Sequence, residues 1–189
     1  MRRLNVYDFD NTILRGDSTA LFYLYCLRRT PKMLLRLPGL VFGALFVLKK
    51  DKQRFKQNMF AFLADLKDPE KAVDAFWDKN IRRVKRFYLQ TKREDDVIIS
   101  ASPAFLVAPA MKRLGVSNVL ASPVDAHTGL YSGKNCHGEE KVRRFYKAFP
   151  GGRIDAFYSD SHSDDPLARI AERAYLVKGE KLADWGEGR

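Results

Sequence analysis

Five short apolar runs alternate with stretches of helical periodicity, and this alternation restricts the fold more than any other feature of the chain. Leu4, Val6 and Phe9 mark the first run. Val97-Ile98-Ile99, Val119-Leu120-Ala121, Ile154 to Tyr158 and Tyr175-Leu176-Val177 follow. Short apolar runs bounded by polar turns read as buried strands. Strands separated by helices join in parallel through crossovers, so the order predicts a parallel α/β sheet with one helical insertion. In such sheets a ligand sits at the carboxyl ends of the strands. Here those ends carry Asp8 and Asp10, Ser100, and Asp160 with Asp164. Polar residues at all three places, each straight after an apolar strand, are hard to explain as packing.

The first strand runs into Asp8-Phe9-Asp10-Asn11-Thr12. Residues two apart on a strand point the same way, so Asp8 and Asp10 are expected to share one face at its end. Two carboxylates held together repel unless a cation or a shared proton compensates.

Between the first and second strands the pattern is helical. A helix is expected from Ser18-Thr19 to Arg28-Arg29, with Leu21, Leu24, Tyr25 and Leu27 on helical spacing. Met33 to Leu48 is apolar except for Arg36 and is interrupted by Pro38-Gly39 and Gly43. It is shorter than the roughly 20 apolar residues of a spanning helix. It reads as a buried helical hairpin, with a helix lying in a membrane interface as the alternative. Residues 53–66 form an amphipathic pattern. Asp68-Pro69-Glu70 opens another helix with Ala72, Val73, Phe76 and Trp77 inward, and a further helix is expected over about 80–93. Ser102-Pro103 is a helix start, with Ser102 as its cap, leading to Arg113-Leu114 and Gly115. His127-Thr128-Gly129 suggests a hairpin turn. Helices are expected from Glu139 to Ala148 and from Pro166 to about Ala174.

The chain's 189 residues, 46% hydrophobic, suit one sizeable core with a small appendage. Its net charge of +11 is uneven: residues 15–93 hold 19 of the 34 Lys and Arg but only 7 of the 23 Asp and Glu. That segment attracts anions, whether phosphorylated substrates, an acidic membrane surface or nucleic acid. Cys26 and Cys136 form no C-x-x-C pair and fit a reducing compartment. The first strand starts too early for a cleavable signal peptide, so the expected location is the cytoplasm, with a peripheral membrane position as the alternative.

Asp8-Phe9-Asp10-Asn11-Thr12, Ser100, Lys141 and Ser159-Asp160 with Asp164 resemble, in order and spacing, the four motifs of the haloacid dehalogenase (HAD) superfamily. Gly138-Glu139-Glu140-Lys141 and Tyr158-Ser159-Asp160-Ser161 are most similar to its subfamily IB, which includes phosphoserine phosphatases and some phosphatidylglycerophosphatases. The resemblance implies a Rossmann-like core over residues 1–15 and 79–189, with an all-helical C1-type cap over 16–78. It implies a phosphatase in which Asp8 is the nucleophile that becomes an aspartyl-phosphate. By the same resemblance, Asp10 would protonate the leaving oxygen and later activate water. Asp8, the Asp10 backbone carbonyl and Asp160 would hold Mg²⁺. Ser100 would hydrogen-bond a phosphoryl oxygen, Lys141 would offset charge, and Asp164 would orient Lys141 or the metal shell. Asn11, Thr12, Ala101 and Ser102 are expected near the substrate.

Phosphoryl transfer asks for positioning and charge neutralisation, which this set of residues supplies. Asp10 stands where phosphotransferases of that superfamily have a second carboxylate and its dehalogenases lack one, so the resemblance implies phosphate-ester hydrolysis over dehalogenation. Ala101-Ser102 and Ser159-Asp160 depart from the phosphoserine phosphatase pattern, which has glycines there, so phosphoserine is not the expected substrate. The expected partner is a phosphorylated small molecule or lipid. The apolar 33–48 run beside Lys49-Lys50 points to a phosphatidylglycerophosphate-type lipid phosphatase as the alternative. A phosphomutase is another alternative. A non-catalytic nucleic-acid-binding module has no use for the carboxylates, so nucleic acid is not the expected partner.

Overall fold

The computed structural model describes residues 3–30 and 60–186. A six-stranded sheet in the order β3-β2-β1-β4-β5-β6 forms the centre. Its strands are β1 (Arg3–Tyr7), β2 (Val97–Pro103), β3 (Asn118–Ser122), β4 (Arg153–Ser159), β5 (Ala171–Lys178) and β6 (Lys181–Asp184). The first five pair in parallel, and β6 turns back antiparallel on β5. This is the expected α/β, Rossmann-like sheet. Strands β1, β2 and β4 sit side by side at its centre, so their carboxyl ends open on one place.

Helices cover the sheet: α1 (Ser18–Arg29), α2 (Pro69–Asn80), α3 (Arg86–Thr91), α4 (Ala104–Arg113), α5 (Glu139–Ala148) and the single turn α6 (Asp165–Ala168). Asp17 caps α1 by accepting from Ala20 N at 2.8 Å, and Asp68 caps α2 by accepting from Lys71 N at 3.0 Å. Two apolar clusters flank the sheet. One gathers Leu4, Val6, Val97, Ile99, Phe145, Ile154 and Phe157. The other continues from Tyr7, Phe9 and Ile98 through Leu106 and Val107 into Phe22, Phe62, Phe76 and Trp77 of the inserted segment. Trp77, wholly buried, fastens the inserted segment to the core of this second cluster: its indole N–H donates to Leu106 O at 2.8 Å and its ring meets Phe9 edge-on. The hairpin after β3 also touches the insertion. Gly129, at φ 72°, lies so close to Phe60 that a Cβ there would stand 2.3 Å from the Phe60 carbonyl oxygen.

Four expectations need correction. The helix expected over 80–93 breaks into a 3₁₀ turn (Ile81–Arg83), an extended Val84-Lys85 and α3. Val84 bridges Leu14, and Lys85 N donates to Ile13 O at 2.8 Å, so pairing with the outgoing chain outweighs local helical preference. The helix expected to run to Ala174 is only α6, because Ala171, Arg173 and Ala174 pair with β4. Helix α4 starts at Ala104 with Pro103 at the cap position and no capping side chain, so Ser102 is not a cap. Of the pattern over 53–66 only the end lies within the described residues, where Ala61–Asp65 is a 3₁₀ turn. The apolar 33–48 run lies outside them. Among the described residues no helix is long and apolar enough to cross a membrane.

Candidate active site

Strand β1 ends at Tyr7, and the chain then winds once through Phe9–Ile13, with Asn11 at φ 54°. This tight turn replaces the strand extension that the alternation implied. Asp8 and Asp10 therefore do not form a pair on one strand face: their carboxylates take different partners. Asp8 Oδ1 accepts from the Lys141 ammonium at 2.7 Å, and Oδ2 lies 3.3 Å from the Thr12 hydroxyl. Asp10 Oδ1 accepts from the backbone N of Ser18 at 2.6 Å, and Oδ2 accepts from the Ser102 hydroxyl.

Lys141, in the first turn of α5, is 2% exposed and reaches across to two carboxylates. Its ammonium donates to Asp8 Oδ1 and Asp164 Oδ2, both at 2.7 Å. Ser159, at the end of β4, adds its hydroxyl to Asp164 Oδ2 at 2.8 Å. The ends of β1 and β4 and the start of α5 thus converge on one buried cation. Asp160, one residue past β4, joins them through Thr12. Its amide donates to Thr12 Oγ1 at 2.9 Å, and its Oδ1 stands 3.3 Å from the same oxygen.

Two further groups complete the rim. Ser100, wholly buried midway along β2 where the pairing with β3 shifts register, accepts the Ser102 amide at 3.0 Å, which leaves its own proton for an incoming acceptor. The Ala101 carbonyl is occupied by the Ser122 hydroxyl at 2.8 Å. Asn11 is exposed; its carbonyl accepts from the Lys85 ammonium, and its amide donates to Gly16 O at 3.1 Å. Lys85 is the residue that sequence reasoning missed. It reads as one of many basic residues in a helix, yet it is buried on the return strand from the insertion and holds the turn that carries Asp10. His162 packs against Trp185 at 5.0 Å with Nδ1 3.3 Å from Asp165 Oδ1, so it is half-buried. A largely apolar groove of about 1040 Å³ between α2 and α4, lined by Val73, Phe105 and Val116, contains none of these groups.

Burial dominates the electrostatics. It pushes the Asp8 carboxyl up to about 7 against the pull of Lys141, with Asp164 and Asp10 adding to the rise. Burial also raises Asp10 and Asp160. Lys141 loses solvation too, yet Asp8 and Asp164 more than restore it and hold it above the ordinary lysine value. These two shifts oppose each other, since a neutral Asp8 would not hold Lys141 up. One ammonium donating to two carboxylates at 2.7 Å settles the sense: Lys141 is charged, and its partners are acceptors.

The donor set fits a hard divalent cation. The Thr12 hydroxyl has one proton for two carboxylate oxygens, Asp8 Oδ2 and Asp160 Oδ1, so one of them goes unserved. Asp164 Oδ1 is buried without a hydrogen-bond partner among the described residues. Among the described residues, Lys141 pairs with Asp8 and Asp164, and the Lys85 charge acts on Asp160. Carboxylate oxygens meeting in excess are what Mg²⁺ selects. Among the described residues no three His, Cys, Asp or Glu side chains close on one point, so such an ion would also draw on backbone carbonyl and water.

A family model described as haloacid dehalogenase-like hydrolase matches residues 6–169, a span that runs from β1 past Asp164. The chain belongs to this family. It is 28% identical over 197 residues to Protein CicA of Caulobacter vibrioides, covering 92% of this chain and 86% of that one. It is 23% identical over 210 residues to a histidinol-phosphatase of Neisseria meningitidis serogroup C, covering 94% and 90%. Among solved structures, a protein of unknown function from Bordetella pertussis Tohama I superposes with a TM-score of 0.74 at 23% identity. It covers 92% of this chain and 89% of the other. At that identity the likeness speaks for a shared fold alone.

Proposed function

We propose that this chain is a Mg²⁺-dependent phosphatase that hydrolyses a small phosphate monoester through an aspartyl-phosphate on Asp8. One observation carries the reading. Asp8 has one oxygen held by Lys141 at 2.7 Å and the other turned toward Asp160 across Thr12, and packing gives no reason for a buried Asp8 beside that second acid. The relative named a histidinol-phosphatase supports hydrolysis of a phosphate ester as the reaction class.

Mg²⁺ bound between Asp8 Oδ2, Asp160 and the Asp10 carbonyl would offset negative charge on the substrate and on Asp8. The protein's own groups do the rest. Asp8 Oδ1 attacks phosphorus, the ester P–O bond breaks, and its electron pair leaves with the alcohol oxygen, which takes the Asp10 proton. Lys141 stays charged beside Asp8 while the Ser100 hydroxyl donates to a phosphoryl oxygen. Asp10, now a carboxylate, then takes a proton from water as the water oxygen attacks phosphorus. That step regenerates Asp8 and releases inorganic phosphate.

The test is turnover of p-nitrophenyl phosphate in Mg²⁺. Wild type releases nitrophenol and phosphate in equal amounts, and Asp8→Asn lowers the rate on the order of 10³-fold or more while its circular dichroism is unchanged. Activity of Asp8→Asn within tenfold of wild type rejects Asp8 as the nucleophile.

A further inference from the structure

Among the described residues, the Asp10 carboxylate takes its two hydrogen bonds from outside its own turn. One comes from the first residue of α1, Ser18 N, and the other from Ser102, one residue before the cap of α4. Ser102 is 7% exposed and is tied at three points. Its hydroxyl reaches Asp10 Oδ2, its Oγ lies 3.2 Å from Thr19 Oγ1, and its amide donates to Ser100 Oγ at 3.0 Å. A hydroxyl has one proton. With that of Ser102 given to Asp10, Thr19 is the donor to Ser102, and the contacts run in one sense from Thr19 through Ser102 to Asp10. The hydroxyl has no capping bond in α4 to make instead.

We propose that Ser102 is a positioning residue for the acid–base group, its hydroxyl fixing the Asp10 carboxyl in the orientation from which it protonates the leaving oxygen. The proposal rests on the phosphatase reading above and adds to it a residue that acts through Asp10. Ser102 and Ser18 both donate, so they grip the carboxylate that remains once the proton has moved to the departing alcohol. Each carboxyl oxygen accepts at two lone pairs, so these contacts and the transferable proton coexist. Through its amide, Ser102 also turns the Ser100 proton toward the site, so one residue aligns a group on each side of the transferred phosphoryl. Thr19 brings α1 into the same chain of contacts.

Leaving-group dependence tests this, because an acid matters most when the departing oxygen is a strong base. Ser102→Ala, Ser102→Thr, Asp10→Asn and Asp8→Asn are compared with wild type on p-nitrophenyl phosphate and phenyl phosphate in Mg²⁺. The readout is kcat/KM, which reports only the steps up to loss of the leaving group. For Ser102→Ala the expected loss is about 30-fold or more on phenyl phosphate and under about threefold on p-nitrophenyl phosphate, the same sense as Asp10→Asn. Ser102→Thr keeps the hydroxyl and restores phenyl phosphate turnover to within about threefold of wild type. The thermal midpoint of each variant is measured alongside, and a loss of stability alone would lower both substrates together. Equal losses on the two substrates, or none, while Asp10→Asn discriminates between them, overturn the role of Ser102. Turnover that survives Asp8→Asn overturns the phosphatase reading itself and this proposal with it.

Discussion

Asp8 Oδ1 and the Lys141 ammonium, 133 residues apart in the chain, meet at 2.7 Å in a site where the lysine side chain is 2% exposed. The same ammonium serves Asp164, so one cation answers for two buried acids. Removing it leaves both without compensation. Lys141→Met is expected to cost about 3–5 kcal/mol of stability by denaturant unfolding at neutral pH, the usual penalty for breaking a buried pair from one side. Lys141→Arg does not rescue, because a planar guanidinium does not fit a point held between two carboxylates at 2.7 Å.

On the proposed function, the oxygens around Thr12 lead us to expect metal dependence. Chelation should abolish turnover, and Mg²⁺ should restore it. Ca²⁺ should not, since the larger ion accepts more oxygen ligands and would engage both oxygens of Asp8, including the attacking one. The binding arm needs no activity: Mg²⁺ raises the thermal midpoint of wild type, and Asp160→Asn removes that rise. Full turnover in Ca²⁺ contradicts the coordination scheme.

Asp96, at the foot of β2, provides a pH test away from the site. It is wholly buried, accepts from Arg93 N at 2.8 Å through Oδ2, and has no hydrogen-bond partner at Oδ1 among the described residues. Burial pushes its carboxyl up to about 6. The folded protein therefore holds this proton more tightly than the unfolded chain, whose aspartate titrates near 3.9. Its contribution to stability is full below about pH 4 and is lost as the pH rises through about 6, by roughly 2–3 kcal/mol at 1.36 kcal/mol per unit. Asp96→Asn, neutral throughout, should equal wild type at pH 4 and exceed it at pH 7.5 in unfolding experiments. A variant that gains nothing at the higher pH contradicts a buried, proton-holding Asp96.

Much of this site is legible in the sequence because Asp8 and Asp160 stand where strands stop and Ser100 where the apolar run of β2 gives way. Asp8, Ser100 and Asp160 each follow an apolar run, and a parallel sheet brings such ends together whatever lies between them. Lys141 and Asp164 are legible only as members of the set, since a lysine beside Arg143 and Arg144 has no local mark of burial. Ser102 misleads because a serine before proline is a good cap signal, and only the turn at Asp10 gives its hydroxyl a better acceptor. Lys85 is hidden by its neighbours: Arg82, Arg83 and Arg86 make the stretch look like a solvated helix face, whereas pairing of Val84 with Leu14 turns Lys85 inward. Strand β6 has no apolar run to announce it, because as an edge strand with exposed Lys181, Leu182 and Asp184 it needs little burial to pair with β5.

The most direct measurement is chemical trapping of the phosphorylated enzyme. Asp10→Asn, which leaves Asp8 intact but slows attack by water, is mixed with p-nitrophenyl phosphate and Mg²⁺, quenched in acid, digested and analysed by mass spectrometry. The account predicts one added phosphoryl group on the peptide that contains Asp8, lost on treatment with hydroxylamine and absent in Asp8→Asn. A phosphoryl group on any other residue, or release of phosphate by wild type with no phosphorylated protein trapped in the variant, contradicts it.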